Sequence, residues 1–146
     1  MTTIDPVTLD LVENALLNAR FEMDEVLRRA AMSPTIRVQH DEFPMICDAA
    51  GRMIVGQFGS YIPEVVDQMG GRLDPGDVVL LNDPYLAKGS ISHNNDWLVI
   101  VPIFHEGEHV AFGSMFGHMM DVGGKVPGSQ VSDATSSAAS RAVTRR

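Results

Sequence analysis

Two apolar runs separated by a short polar link constrain this chain more than any other feature. Trp97 to Phe104 is one run and His109 to Phe116 the other, with His105-Glu106-Gly107-Glu108 between them. Such a pattern predicts a β-hairpin in which Glu106-Gly107 is a tight two-residue turn. A regular hairpin on that turn pairs His105 with Glu108 and, further out, Asp96 with Gly117 and Asn95 with His118. Its open end then gathers the residues flanking both strands: Ser92-His93-Asn94-Asn95-Asp96 on one side and Gly117-His118-Met119-Met120-Asp121-Val122-Gly123-Gly124 on the other. Two imidazoles and a carboxylate at one sheet end are a recurrent divalent-metal set that leaves coordination positions open. Spacing alone also fits half-buried, hydrogen-bonded His93 and His118 with Asp96 capping a turn. Asp121 and Asp83 are further carboxylates near the same edge, as partners that orient the imidazoles or as turn residues.

The remaining elements support an α+β domain. Asp5-Pro6 is an N-cap acceptor followed by proline at the first helical position. From there to Met32 the chain lacks Gly and Pro, and Leu9, Val12, Leu16, Ala19, Met23, Val26 and Ala30 recur at three- and four-residue steps. This predicts a long amphipathic helix, ended by Ser33-Pro34, with a face broad enough to pack on a sheet and touch a partner. Phe43 to Cys47, the turn Asp48 to Gly51 and the return Arg52 to Gly56 predict a second hairpin. A short helix over 63–69 and a buried strand over 78–81 follow. The expected sheet is mixed but mainly antiparallel, built from hairpins.

Several candidates carry less chemistry. His105 and His109 flank the hairpin turn and are expected to be exposed and without a catalytic role. His40-Asp41-Glu42 reads as a solvated loop before a strand, and Cys47 as a small core residue. A net charge of −8 with no clustered cationic face argues against nucleic acid. No run of about 18 apolar residues predicts a membrane span. The N-terminus lacks a signal-peptide pattern and a lone cysteine forms no internal disulfide, so the expected compartment is the cytoplasm.

A wider set of residues identifies a family. Ile4-Asp5-Pro6-Val7-Thr8-Leu9, Arg28-Arg29-Ala30-Ala31-Met32-Ser33-Pro34, Asp48-Ala49-Ala50-Gly51-Arg52, Pro75-Gly76-Asp77-Val78-Val79 and Asn82-Asp83-Pro84-Tyr85 resemble the hydantoinase B/5-oxoprolinase family. His93-Asn94-Asn95-Asp96 followed by His118-Met119-Met120-Asp121-Val122-Gly123-Gly124 carries the resemblance furthest. The family includes N-methylhydantoinase B subunits and the alpha subunits of acetone and acetophenone carboxylases. It implies a divalent metal (Zn or Mn, with Fe a further option) on His93, Asp96 and His118, with Asp121 orienting His118 or carrying a proton. It also implies a hetero-oligomer in which a hydantoinase A-type partner binds ATP and phosphorylates a substrate oxygen. The expected reaction is hydrolysis of a cyclic amide. Ketone carboxylation is one alternative, and a non-catalytic piece acting in subunit association is another.

The resemblance runs from about Ile4 to about Thr135 and covers only the N-terminal portion of such subunits, so residues 1–131 read as the N-terminal part of a hydantoinase B-like domain. After Ser132-Asp133-Ala134-Thr135 the tail to Arg146 departs from the acidic, aromatic and proline-rich continuation of the family. Residues 132–146 therefore read as a disordered or aberrant tail, of the kind a truncated or frame-shifted GC-rich gene produces. The 58–72 region also looks shorter than its family counterpart, and Tyr61-Ile62-Pro63 stands where a His-Ile-Pro segment is usual.

Overall fold

The computed structural model describes residues 4–123 and the backbone of Val143–Thr144. Its elements are α1 (Pro6–Ala30), α2 (Pro34–Gln39), β1 (Glu42–Asp48), β2 (Met53–Val55), α3 (Ile62–Gln68), β3 (Val79–Leu81), β4 (Asp96–His105), β5 (Glu108–His118) and β6 (Val143–Thr144). The strands form one sheet in the order β2-β1-β5-β4-β3-β6. Every described pairing is antiparallel. The expectation of a mixed sheet is corrected accordingly: the crossover from β2 through α3 to β3 carries the chain past β1, β5 and β4, so no two described neighbouring strands run parallel. Of the expected tail, 132–146, only Val143–Thr144 falls among the described residues, where it pairs with β3; the rest of that expectation lies outside the described residues.

The central hairpin departs from the regular register in one place. Glu106 and Gly107 have φ of 50° and 84°, the left-handed pair that a type I′ turn requires. His105 faces Glu108 and Phe104 faces His109, but the next pair is Ile103 with Ala111. Val110 is thus a β-bulge, and beyond it every partner moves by one residue. Asp96 consequently lies opposite His118, not Gly117 as a regular hairpin predicts. The shift matters because residues directly opposite share a face, whereas a one-residue slip sends one of them to the other side. The bulge also turns His109 inward. It is half-buried, with its ring centroid 4.3 Å from that of Phe112 and 5.3 Å from that of Phe104, while His105 is exposed.

The core lies on the sheet face that carries Asp96 and His118. Met45 and Cys47 of β1, Phe112 of β5, Leu98 and Ile100 of β4, and Val79 and Leu81 of β3 pack there beneath Ile62, Val65 and Val66 of α3. Burial pushes the Cys47 thiol up, in keeping with an unreactive core residue. Tyr61 is also buried in this core. Its hydroxyl is 2.7 Å from Ser114 Oγ, which in turn donates to the Val99 carbonyl at 2.7 Å. Its hydrogen bonding is therefore spent inside the core.

The opposite face carries α1 and α2. Asp5 caps α1, its carboxylate accepting from the Thr8 amide at 3.0 Å and the Thr8 hydroxyl at 3.1 Å. The helix ends at Ala30, and Ser33-Pro34 begins α2 instead of only stopping α1. Proline at a first helical position starts helices as readily as it ends the preceding one. α1 lies against β1 and β2, and Arg20 Nε donates to the Pro44 carbonyl at 3.3 Å. Yet it buries none of its residues, and Leu9, Leu11, Val12, Phe21 and Val26 are each more than half exposed. The apolar face expected to pack on the sheet is therefore largely uncovered by the described residues.

Glu42 opens β1 at 3% exposure, which corrects its assignment to a solvated loop. One carboxylate oxygen is 3.5 Å from His40 Nδ1, and the other has no hydrogen-bond partner among the described residues. Burial pushes this carboxyl above the usual range. The folded state therefore holds the Glu42 proton more tightly than the unfolded chain. The associated stability is present below the unfolded carboxylate range and lost as pH rises through the raised folded value. Glu42→Gln is expected to remove that loss. The difference in urea midpoint between variant and parent should grow from acid to neutral pH, favouring the variant by about 1 kcal/mol or more once the carboxyl ionises.

Candidate metal centre

The centre is assembled at the open end of the β4–β5 hairpin. Asp96 is the first residue of β4 and His118 the last of β5, brought opposite each other by the bulge. His93 precedes them in a turn whose carbonyl accepts the Asp96 amide at 3.3 Å. Two asparagine ties fix that turn. Asn82 and Asn94 each donate a side-chain N–H to the other's backbone carbonyl at 3.1 Å. Asn95, 1% exposed, accepts the Met119 amide at its backbone carbonyl and donates from its side chain to the Met119 carbonyl, both at 2.8 Å. The polar Asn-Asn pair inside His-x-x-Asp therefore shapes the loop that carries His93.

The donor atoms form a small triangle. His93 Nε2 is 3.1 Å from His118 Nδ1, His118 Nδ1 is 2.9 Å from Asp96 Oδ1, and His93 Nε2 is 3.3 Å from Asp96 Oδ1. With bonds of about 2.1 Å, adjacent donors stand about 3.0 Å apart around an octahedral ion and about 3.4 Å apart around a tetrahedral one. The edges of 3.1 and 3.3 Å fall in that range, and the third, 2.9 Å, lies just below its octahedral end. Hydrogen bonding alone serves the triangle badly. If both imidazoles donate to Asp96, two N–H groups confront each other at 3.1 Å; if one does not, its lone pair faces the carboxylate. A cation satisfies all three edges at once, so this donor set fits a divalent ion. Among the described residues, these three form the cluster of His, Cys, Asp and Glu side chains whose ligand atoms all lie within 4.8 Å of one another.

Other residues bind the centre to the fold. Asp41, expected in a solvated loop, accepts the His118 amide at its carbonyl at 2.9 Å, and its carboxylate Oδ2 is 3.9 Å from His118 Nδ1. The His118 carbonyl accepts from Ser33 Oγ at 2.9 Å and from Thr35 Oγ1. Ser33 Oγ also accepts the Met120 amide at 3.2 Å. Ile36 of α2 lies over Gly117, where a Cβ would stand 2.8 Å from Ile36 Cδ1, so the glycine admits α2 beside the site. None of Asp41, Ser33, Thr35 or Ile36 has a local sequence signal for this role. Asp121 lies on the surface outside the three-donor cluster, and its carboxylate accepts the Gly123 amide at 2.8 Å. Asp83 accepts the amides of Tyr85 at 2.8 Å and Leu86 at 3.3 Å, which is turn chemistry. Exposure differs across the centre: the side chain of His93 is 41% exposed, against 12% for Asp96 and 13% for His118. The open side is that of His93.

The family model described as hydantoinase B/oxoprolinase matches residues 5–140. The beta subunit of caprolactamase from Pseudomonas jessenii is 35% identical over 144 residues, covering 92% of this chain and 24% of that protein. The crystal structure of the ATP-dependent caprolactamase from the same organism superposes with a TM-score of 0.80 at 30% identity, over 99% of this chain and 26% of that one. The nucleotide-free structure of acetone carboxylase shares the fold with a TM-score of 0.69 at 22% identity, over 83% of this chain and 17% of that one. The chain thus spans about a quarter of the length of its caprolactamase relative. With its family model matched over nearly its whole length and its fold shared with these enzymes, the chain belongs to the hydantoinase B/oxoprolinase family.

Proposed function

We propose that His93, Asp96 and His118 hold a divalent cation, Zn or Mn, and that this chain is the metal-bearing part of a B-type subunit of an ATP-dependent cyclic amide hydrolase. The observation that carries the reading is the triangle of donors with edges of 2.9 to 3.3 Å. When bound, such an ion polarises a carbonyl or phosphoryl oxygen and acidifies coordinated water. The protein groups do the rest. Asp96 supplies the negative charge of the set, and the half-exposed Asp41 carboxylate is placed to accept a proton from a water at the mouth. Asp121 is proposed as a proton carrier or as a residue that orients His118. Cyclic amides are preferred to ketones as substrates because the 35% identical relative is a caprolactamase subunit, whereas the likeness to acetone carboxylase is one of fold. The proposed ATP-binding partner is a hydantoinase A-type subunit, in a cytoplasmic hetero-oligomer. The uncovered apolar side chains of α1 are the surface proposed for association within it.

The test has two stages. Metal-stripped protein titrated with Zn²⁺ or Mn²⁺ is expected to take up one equivalent. Adding an ATP-binding partner subunit, ATP and a lactam is then expected to give ring opening that stops when a chelator removes the metal. Absence of metal uptake overturns the site, and metal uptake without ATP-dependent ring opening overturns the reaction.

A further inference from the structure

The two imidazoles of the centre are held in different ways. His118 is gripped through its backbone by Asp41, Ser33 and Thr35, and its side chain is mostly covered. His93 rides on a loop, and on the side of its ring away from the donor triangle Nδ1 lies 2.8 Å from Ser92 Oγ. We infer that Ser92 is a positioning residue for His93, its hydroxyl accepting the Nδ1 proton so that the Nε2 lone pair faces Asp96 and His118. The inference rests on the metal reading above and adds a residue to it.

A ligating imidazole must be neutral, with its lone pair on the ligating nitrogen, so the ring proton belongs on the other one. An acceptor beside Nδ1 stabilises that tautomer and fixes the ring plane. A hydroxyl does this differently from a carboxylate or a carbonyl, because it also donates. Before a cation enters, His93 is able to carry its proton on Nε2, directed at Asp96 Oδ1 3.3 Å away, while Ser92 donates to Nδ1. With a cation held on Nε2, the ring proton would sit on Nδ1 and the Ser92 hydroxyl would accept it rather than donate. His93 is thus the adaptable ligand on the open side, and His118 the fixed one.

The experiment uses the full chain with ¹⁵N-labelled histidine. Zn²⁺ affinity is measured by competition with a chromogenic chelator, and the His93 ring nitrogens are read by NMR in the Zn²⁺-loaded state. Because Ser92 is exposed, Ser92→Ala leaves the fold intact. It is expected to weaken Zn²⁺ binding about ten- to a hundredfold, as loss of an outer partner of a ligating histidine does. A His93 Nδ1–H signal is expected in the Zn²⁺-loaded parent, and it should be lost in this variant. Ser92→Thr, which keeps the hydroxyl, is expected to restore both. Parental affinity and an unchanged Nδ1–H signal in Ser92→Ala would overturn the role of Ser92 and leave the metal site standing. A parent that binds no Zn²⁺ would overturn both.

Discussion

His118→Ala is expected to weaken divalent-metal binding by roughly a hundred- to a thousandfold, the scale of one lost ligand among the few that hold such an ion. The substitution removes one vertex of the donor triangle and leaves His93 Nε2 and Asp96 Oδ1 facing each other at 3.3 Å. Two donors without the third no longer define the face of a coordination polyhedron. The local fold should survive, because the contacts that dock the end of β5 run through the backbone of residue 118: its amide to Asp41, its carbonyl to Ser33 and Thr35. The metal-free variant should therefore melt close to the parent. His105→Ala is the matched control, since His105 sits exposed at the turn end of the same hairpin. Equilibrium dialysis followed by metal analysis decides the matter. Parental uptake by His118→Ala would place the ion elsewhere, and loss of uptake in His105→Ala would mean that hairpin stability, not ligation, is being measured.

The hairpin behind this prediction was legible because its signals are local. Apolar runs of strand length and a Glu-Gly link specify two strands and a turn at Glu106-Gly107. The bulge at Val110 has no such signal. Nothing in Glu108-His109-Val110-Ala111 marks an extra residue, and a regular register puts His118 on the wrong face for Asp96. The motif brings His93, Asp96 and His118 to one hairpin end, and tertiary packing sets the parity. α2 has no separate signal for a related reason, since Ser33-Pro34 reads equally as the end of one helix and the start of the next. The polar triplet His40-Asp41-Glu42 looked solvated, yet Glu42 is buried under α1 and Asp41 reaches His118. The grip of Ser33 and Thr35 on the His118 carbonyl joins residues more than 80 positions apart, a distance over which no periodicity speaks.

Leu98→Ala carries the largest expected cost to stability, and it also tests whether core and centre are thermodynamically linked. Leu98 is fully buried, faces Leu81 on one side and Phe116 on the other, and shares its sheet face with Asp96 two residues away. Truncation removes buried methyl groups and leaves a cavity that rigid neighbouring strands close poorly, at a cost of roughly 2–5 kcal/mol. Against a typical total of about 5–15 kcal/mol this is severe. It should lower the melting temperature by roughly 5–20 °C. The donor triangle hangs from the end of the same strand, so a bound ion draws on the folded state alone. Saturating Zn²⁺, at about a hundred times its dissociation constant, should return about 2.7 kcal/mol. That return must be absent from the Leu98→Ala, His118→Ala double variant if it comes through the triangle. Calorimetry on both variants with and without Zn²⁺ measures it. Equal rescue in the two would show that the ion stabilises the fold from somewhere other than His93, Asp96 and His118. Rescue confined to the single variant would place its binding energy at the end of β4 and β5.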